Sequence, residues 1–288
     1  MADNADVRRI ALVSPGAMGA AMGARLIEAG HDVLTSLADR SDASRARAAD
    51  AGLRDADDPD LAACDIILSI MPPANAGAFV ERMLPHIAAR PAGARPLFVD
   101  ANALGPATKK ALAARLATVG CAMVDAAILG PAPVREGGVT TLLLAGEGAG
   151  QAAAALATPA CPARVLTGGI GAAASVKMCF GGLNKGLIGL ASMLLLAAER
   201  HGATDALALE LDHAAPDLVA RLTPQIPAMI PKAYRWIAEM EEIAAFLEPD
   251  DPAGAEMFRG LAAFFRSIAG DAARDRRLVA ALERIVAE

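Results

Sequence analysis

Residues 9–14 read Arg-Ile-Ala-Leu-Val-Ser and run straight into Pro15-Gly16-Ala17-Met18-Gly19, after which helix-forming residues continue through Ala29. An apolar run, a glycine-bearing turn and an immediate helix restrict the chain severely. A strand with no polar face must be covered on both sides, and a helix that begins where the strand stops must pack back on it. The first helical N–H groups then point at the turn, where they have no partner within the helix and favour an anion. A dinucleotide-binding turn carries G-x-G-x-x-G at this place. Ser14 stands where the first glycine would be, and Gly16 and Gly19 hold the other two positions. Ser14, Gly16, Ala17, Met18 and Gly19 are therefore candidates to cradle a pyrophosphate.

The alternation continues. Strand-like runs cover His31–Leu37, Asp65–Met71, Pro96–Asp100, Cys121–Ala127, Val139–Ala145 and Arg164–Leu166. Ser41-Asp42 can cap a helix ending near Gly52, and another helix covers Pro106–Val119. This order predicts an α/β fold with a parallel, doubly wound, Rossmann-type sheet. After Gly171 the strand pattern stops: Ala172–His201 reads as one long apolar helix, and helices continue to Glu288. The expected organisation is a dinucleotide-binding domain over 1–167 and an all-α domain over 168–288. Pro224, Pro227 and Pro231 mark one expected helix junction, and Glu248–Pro252 marks another.

Composition removes several functions. Aromatics are 3% of the 288 residues and the formal net charge is −6, so neither the basic face nor the stacking platform of a nucleic-acid binder is present. Mean hydropathy is +0.38, but the longest apolar run, Gly186–Ala198, falls short of the roughly 20 residues of a membrane span. The polar, acidic Met1–Asp6 lacks a signal-peptide pattern. Cys64, Cys121, Cys161 and Cys179 form no CxxC pair and read as buried reduced thiols of a cytoplasmic protein. The four histidines have no metal-ligand spacing, and Asp57-Asp58-Pro59-Asp60 lacks the calcium-loop pattern.

The residue that reads a cofactor ribose falls about 20 residues past the glycine turn, where this chain has Asp39-Arg40-Ser41. A carboxylate suits the free 2′-hydroxyl of NAD, whereas Arg40 and Ser41 suit the 2′-phosphate of NADP. Both are available, and the two donors at the start of a helix favour NADP.

These residues together resemble the β-hydroxyacid dehydrogenase family, the relatives of 3-hydroxyisobutyrate and 6-phosphogluconate dehydrogenases. The likeness rests on an ordered series: Ala17-Met18-Gly19 in the glycine turn, Ile70-Met71-Pro72-Pro73, Asp100 through Pro106, Asp125 through Pro131, and Gly168–Lys177. Lys232-Ala233-Tyr234-Arg235-Trp236 and Glu239–Glu242 resemble a phosphogluconate-dehydrogenase-like subgroup. The resemblance implies interconversion of a small alcohol and its carbonyl, with Lys177 as general acid/base. It also implies that Met71, Pro72 and Asn102 contact the cofactor, and that the chain dimerises through its helical domain. A lysine on an apolar helix loses hydration, which lowers its pKa towards neutrality.

The chain departs from the family at two places. Gly181 replaces an asparagine four residues after the lysine, with Asn184 and Lys185 following, and Leu129-Gly130-Pro131 replaces a Ser-Gly-Gly loop that holds a carboxylate. Leu129 has no side-chain donor and Pro131 no N–H. Lys232 and Trp236, one helical turn apart, are further substrate candidates, while Arg235 and Glu239 have the spacing of a surface ion pair. Reduction of a C=N bond, as in imine reductases, and NAD(P) binding without catalysis remain alternative readings.

Overall fold

A computed structural model describes residues 7–134 and 140–285; Met1–Asp6 and Val139 lie outside the described residues. The chain divides into two units, one ending at Lys177 and the other starting at Met178. The division lies inside a helix rather than in the 167/168 loop expected from the sequence. The local reason is that Ala172 and Ala173 pack on Ala127, Leu143 and Ala145 of the sheet.

In the first unit the strands are β1 Arg9–Val13, β2 Asp32–Thr35, β3 Arg54–Asp55, β4 Ile66–Ser69, β5 Leu97–Asp100, β6 Met123–Leu129, β7 Thr141–Ala145 and β8 Ala163–Val165. They form one sheet in the order β3-β2-β1-β4-β5-β6-β7-β8. Each pairing is parallel except β6 with β7. A parallel crossover needs about a dozen or more residues, usually a helix. The stretch from Leu129 to Thr141 is short of that, and the chain returns antiparallel there, so the doubly wound sheet is mostly parallel, as the sequence implies.

Alternation along the strands buries two cores. Ile10, Leu12, Leu68, Val99 and Val124 face one side, and Ala11, Val13, Ile67, Phe98 and Met123 the other. The helices are α1 Ala17–Glu28, α2 Asp42–Asp50, α3 Asp58–Ala62, α4 Pro73–Ala88, α5 Pro106–Ala117 and α6 Ala149–Leu156. Strand order reverses between β1 and β4, and ligands of open α/β sheets bind beyond the carboxyl ends of strands at such a point. Register then places Val13, Ser69, Asp100 and Asp125 side by side across four strands. The polar members of this row, Ser69, Asp100 and Asp125, lie on the α5 face and form the floor of the candidate site.

Helix α7, Ala172–Arg200, runs on into α8 Thr204–Ala214, α9 Pro216–Met229, α10 Ala233–Leu247, α11 Pro252–Ala272 and α12 Arg277–Ile285. The second unit has its own core, with Met178, Ile188, Met229, Met240, Leu261 and Phe265 among its buried residues. Gly186 and Gly189 of α7 face Leu261 and Phe265 of α11; at Gly189 a β-carbon would lie 2.7 Å from Leu261. Pro224 and Pro227 lie inside α9 rather than between helices. Helix α7 is long and apolar enough to cross a membrane by length and composition, which the shorter Gly186–Ala198 run concealed. It also carries Lys177, Asn184 and Lys185. Cys64, Cys121 and Cys161 are buried free thiols, each pushed up to about 11 by burial, whereas Cys179 is exposed, against expectation.

Candidate active site

The glycine turn has the shape its spacing implies. Ser14 lies just past β1 with φ 78°, the left-handed conformation that favours glycine, and its carbonyl accepts the N–H of Gly16 at 2.8 Å. A β-carbon on Gly19 would strike that carbonyl and approach Leu12 to 3.1 Å, so Gly19 lets α1 pack against β1. Gly16 caps α1 with no side-chain hydrogen bond, and beyond its chain neighbours no atom stands within 4 Å of where its β-carbon would be. The N-terminus of α1 is thus open to a close backbone approach, as a pyrophosphate requires. Ala17 and Met18 form the first turn of this helix.

Beyond β2, Asp39 is exposed with φ 56°, and Arg40 is half-buried. Ser41 caps α2 by accepting the Ser44 N–H at 3.4 Å. The loop is braced by Arg45, whose Nε donates to the Arg40 carbonyl, and by Arg47, which donates to the Pro15 carbonyl of the glycine turn. A cleft of about 760 Å³ lies on the α3–α4 side of β2. Of its acids, Asp55 accepts the Leu37 N–H at 2.8 Å, Asp57 caps α3, and Asp58 pairs with Arg82 at 3.1 Å.

The polar row carries the strongest network. Asn102 donates to Ser69 Oγ at 2.9 Å and to Asp100 Oδ2 at 2.8 Å, and its Oδ1 accepts the Met71 N–H at 2.6 Å. This fixes the Met71-Pro72 loop beyond β4. Lys109 of α5 is fully buried. Its ammonium donates to the Asp100 carboxylate, to the Asp100 carbonyl at 2.5 Å and to the Ala126 carbonyl at 3.1 Å, and lies 3.4 Å from Asp125 Oδ1. Asp125 Oδ2 accepts the N–H groups of Gly171 and Ala174, at 2.9 and 3.1 Å. A sheet carboxylate thereby binds the first turn of the helix that carries Lys177. Lys177 is half-buried, and burial together with the Lys109 charge lowers its pKa to about 8, partly opposed by Asp100.

The NAD binding domain family of 6-phosphogluconate dehydrogenase matches residues 9–160, more than half of the chain. The chain belongs to that family. A domain family of unknown function, DUF1932, matches residues 198–268 in the helical unit. Solved structures share the fold. A conserved hypothetical protein from Sinorhizobium meliloti is 24% identical, with TM-score 0.76 and 96% of each chain covered. A conserved protein of unknown function, described as similar to 3-hydroxyacid dehydrogenases, is 23% identical with TM-score 0.74, covering 92% of this chain and 98% of that one. Mycobacterium tuberculosis 3-hydroxyisobutyrate dehydrogenase, solved with L-serine, is 22% identical with TM-score 0.71, covering 97% and 99%. The comparison with curated proteins found no match.

The family's NAD-binding region therefore spans the glycine turn, Arg40-Ser41, Met71-Pro72 and Asn102. Leu129 ends β6, Gly130 turns with φ 107°, and the Pro131 carbonyl accepts the Thr140 hydroxyl at 2.5 Å. In the helical unit, Asn184 is tied to the Phe180 carbonyl at 2.9 Å and to Arg221 of α9. Glu239 pairs with Lys185, which corrects the expected Arg235–Glu239 pair. The Lys185 ammonium lies 5.7 Å from the Trp236 ring centroid, and Trp236 meets Phe265 edge-on at 5.2 Å. Trp236 thus packs in the bundle, while Lys232 and Tyr234 are exposed. Beyond its chain neighbours and the local helix backbone, no atom stands within 4 Å of a β-carbon at Gly181. Sequence reasoning missed Lys109. The available signal was its place with Leu112 and Leu116 on the buried face of α5, where a lysine demands a counter-charge.

Proposed function

We propose that the chain is an NADP-dependent oxidoreductase interconverting a small alcohol and its carbonyl, with Lys177 moving the proton at the reacting oxygen. The observation that carries this reading is the placement of Lys177 on α7, one turn past Ala174, whose N–H the buried Asp125 carboxylate holds; burial and the Lys109 charge lower its amine to about 8. A group near neutrality serves in both directions. The neutral amine takes the hydroxyl proton during oxidation, and the ammonium returns it during reduction. Bound nicotinamide supplies or accepts the hydride. Gly16 and the open first turn of α1 hold the pyrophosphate, Arg40 and Ser41 the 2′-phosphate, and the Met71-Pro72 loop, fixed by Asn102, bounds the nicotinamide end.

Leu129-Gly130-Pro131 offers no side-chain donor to a carboxylate, which favours a substrate without one at that position. The same observation supports C=N reduction as a second reading. Free thiols suit a reducing compartment such as the cytoplasm. Phe180, Leu183, Leu190 and Leu194 expose an apolar stripe on α7, which supports a homodimer through the helical unit.

Fluorescence titration with NADPH and NADH, followed by an absorbance screen of hydroxy acids, diols and imines, tests the reading. Tighter binding of NADPH and turnover of an alcohol support it. Turnover of imines alone selects the second reading. Binding without turnover means a cofactor-binding protein, and failure to bind either cofactor overturns all of these.

A further inference from the structure

Five lysines occur in the chain: Lys109, Lys110, Lys177, Lys185 and Lys232. Burying one of them completely is costly, and it persists only where fixed acceptors replace water. Lys109 meets that condition with four oxygens, from the Asp100 carboxylate and carbonyl, the Ala126 carbonyl and Asp125. Asp100 and Asp125 are neighbours in strand register, so two carboxylates would face one another across the sheet without the ammonium between them. Asp125 Oδ1 has no hydrogen-bond donor, which leaves the Lys109 charge at 3.4 Å as the counter-charge described for it.

Each carboxylate also reaches outwards. Asp100 holds Asn102, which holds the Met71 N–H; Asp125 holds Gly171 and Ala174 at the start of α7. Lys109 is thus the shared contact of two arms, one ending at the loop beyond β4 and the other at the helix turn before Lys177. We infer that Lys109 is a positioning residue, a buried cation that holds these two arms in register and sets the charge against which Lys177 gains and loses its proton. The inference rests on the proton-transfer role proposed for Lys177.

The charges facing Lys177 give a signed expectation. Asp100 of β5 and Lys109 of α5 act on Lys177, Asp125 of β6 faces Lys109, and Lys110 of α5 lies close to Gly171. The Lys109 charge acts on Lys177 to lower its pKa, and the Asp100 carboxylate partly opposes it. Lys109→Met removes the charge that lowers Lys177, which favours its protonated form. Asp100→Asn removes the charge that raises Lys177 and keeps an acceptor for Lys109, which favours the neutral amine. Looser packing alone would admit water and raise the Lys177 midpoint in both variants. The opposite signs separate charge from packing.

The experiment is competitive trace acetylation of the intact protein across pH, with the Lys177 peptide read by mass spectrometry. It reports the protonation of Lys177 without any turnover. In Lys109→Met the midpoint is expected to rise by about one pH unit or more, and in Asp100→Asn to fall by a similar amount. An unchanged midpoint in folded Lys109→Met, or movement of both variants in one direction, overturns the inference. If Lys109→Met does not fold, Asp100→Asn decides: a fall supports the inference, and no change or a rise overturns it. Turnover that survives Lys177→Ala would instead defeat the proposed reaction, whatever the acetylation midpoints show.

Discussion

Asp125 accepts the backbone N–H of Ala174 at 3.1 Å, one helical turn before Lys177. A side chain in the middle of a buried sheet therefore sets where the helix carrying the candidate proton carrier begins. The same carboxylate supplies negative charge at a helix N-terminus, which stabilises the helix. Asp125→Ala strands two N–H groups and removes one counter-charge from buried Lys109. A loss of about 3–5 kcal/mol in unfolding free energy is expected by denaturant titration. Asp125→Asn retains an acceptor and should lose less.

Ser14 is held at φ 78°, where a residue with a β-carbon is strained by about 1–2 kcal/mol. Glycine relieves that strain but adds freedom to the unfolded chain, a cost of roughly 0.5–1 kcal/mol. Ser14→Gly should therefore leave the protein as stable or more stable by up to about 1.5 kcal/mol in thermal melting. Gly19→Ala should be destabilising, because the new methyl group meets the Ser14 carbonyl.

Arg40 is the cation offered to a 2′-phosphate. A hydrogen bond to a charged group contributes about 1.5–3 kcal/mol. Arg40→Ala should weaken NADPH binding roughly tenfold to hundredfold and leave NADH binding nearly unchanged. Equal weakening for both cofactors would move the 2′-phosphate contact elsewhere.

Leu183 of α7 is 75% exposed, so a charge there disturbs no packing inside the helical unit. Leu183→Glu should retain the wild-type circular dichroism spectrum and sediment as a monomer, whereas the wild type is expected to sediment as a dimer.

The sheet was legible because its strands are apolar runs punctuated by glycine, proline and helix caps. Arg54–Asp55 escaped because two exposed charged residues carry no strand pattern, although they complete the sheet edge beside β2. The antiparallel turn into β7 depends on connection length rather than on the pattern within the strand. Motif matching found Asp100 and Asp125 as landmarks, yet Lys109, beside Lys110, reads as part of an exposed basic pair. Its partners lie nine and sixteen residues away and become neighbours only when β5, α5 and β6 assemble. Lys185 and Glu239 likewise meet only through helix packing, so the nearer Arg235 looked like the natural partner of Glu239.

The most direct test of the account is the pH dependence of turnover for the best substrate of the screen, in the wild type and in Lys177→Ala. Oxidation needs the neutral amine, so wild-type kcat should rise with pH through a midpoint of about 8; reduction needs the ammonium and should fall through the same midpoint. Lys177→Ala should bind NADPH as the wild type does, lose about a hundredfold or more in kcat, and lose that inflection. Wild-type turnover and an unchanged pH profile in Lys177→Ala would contradict the account.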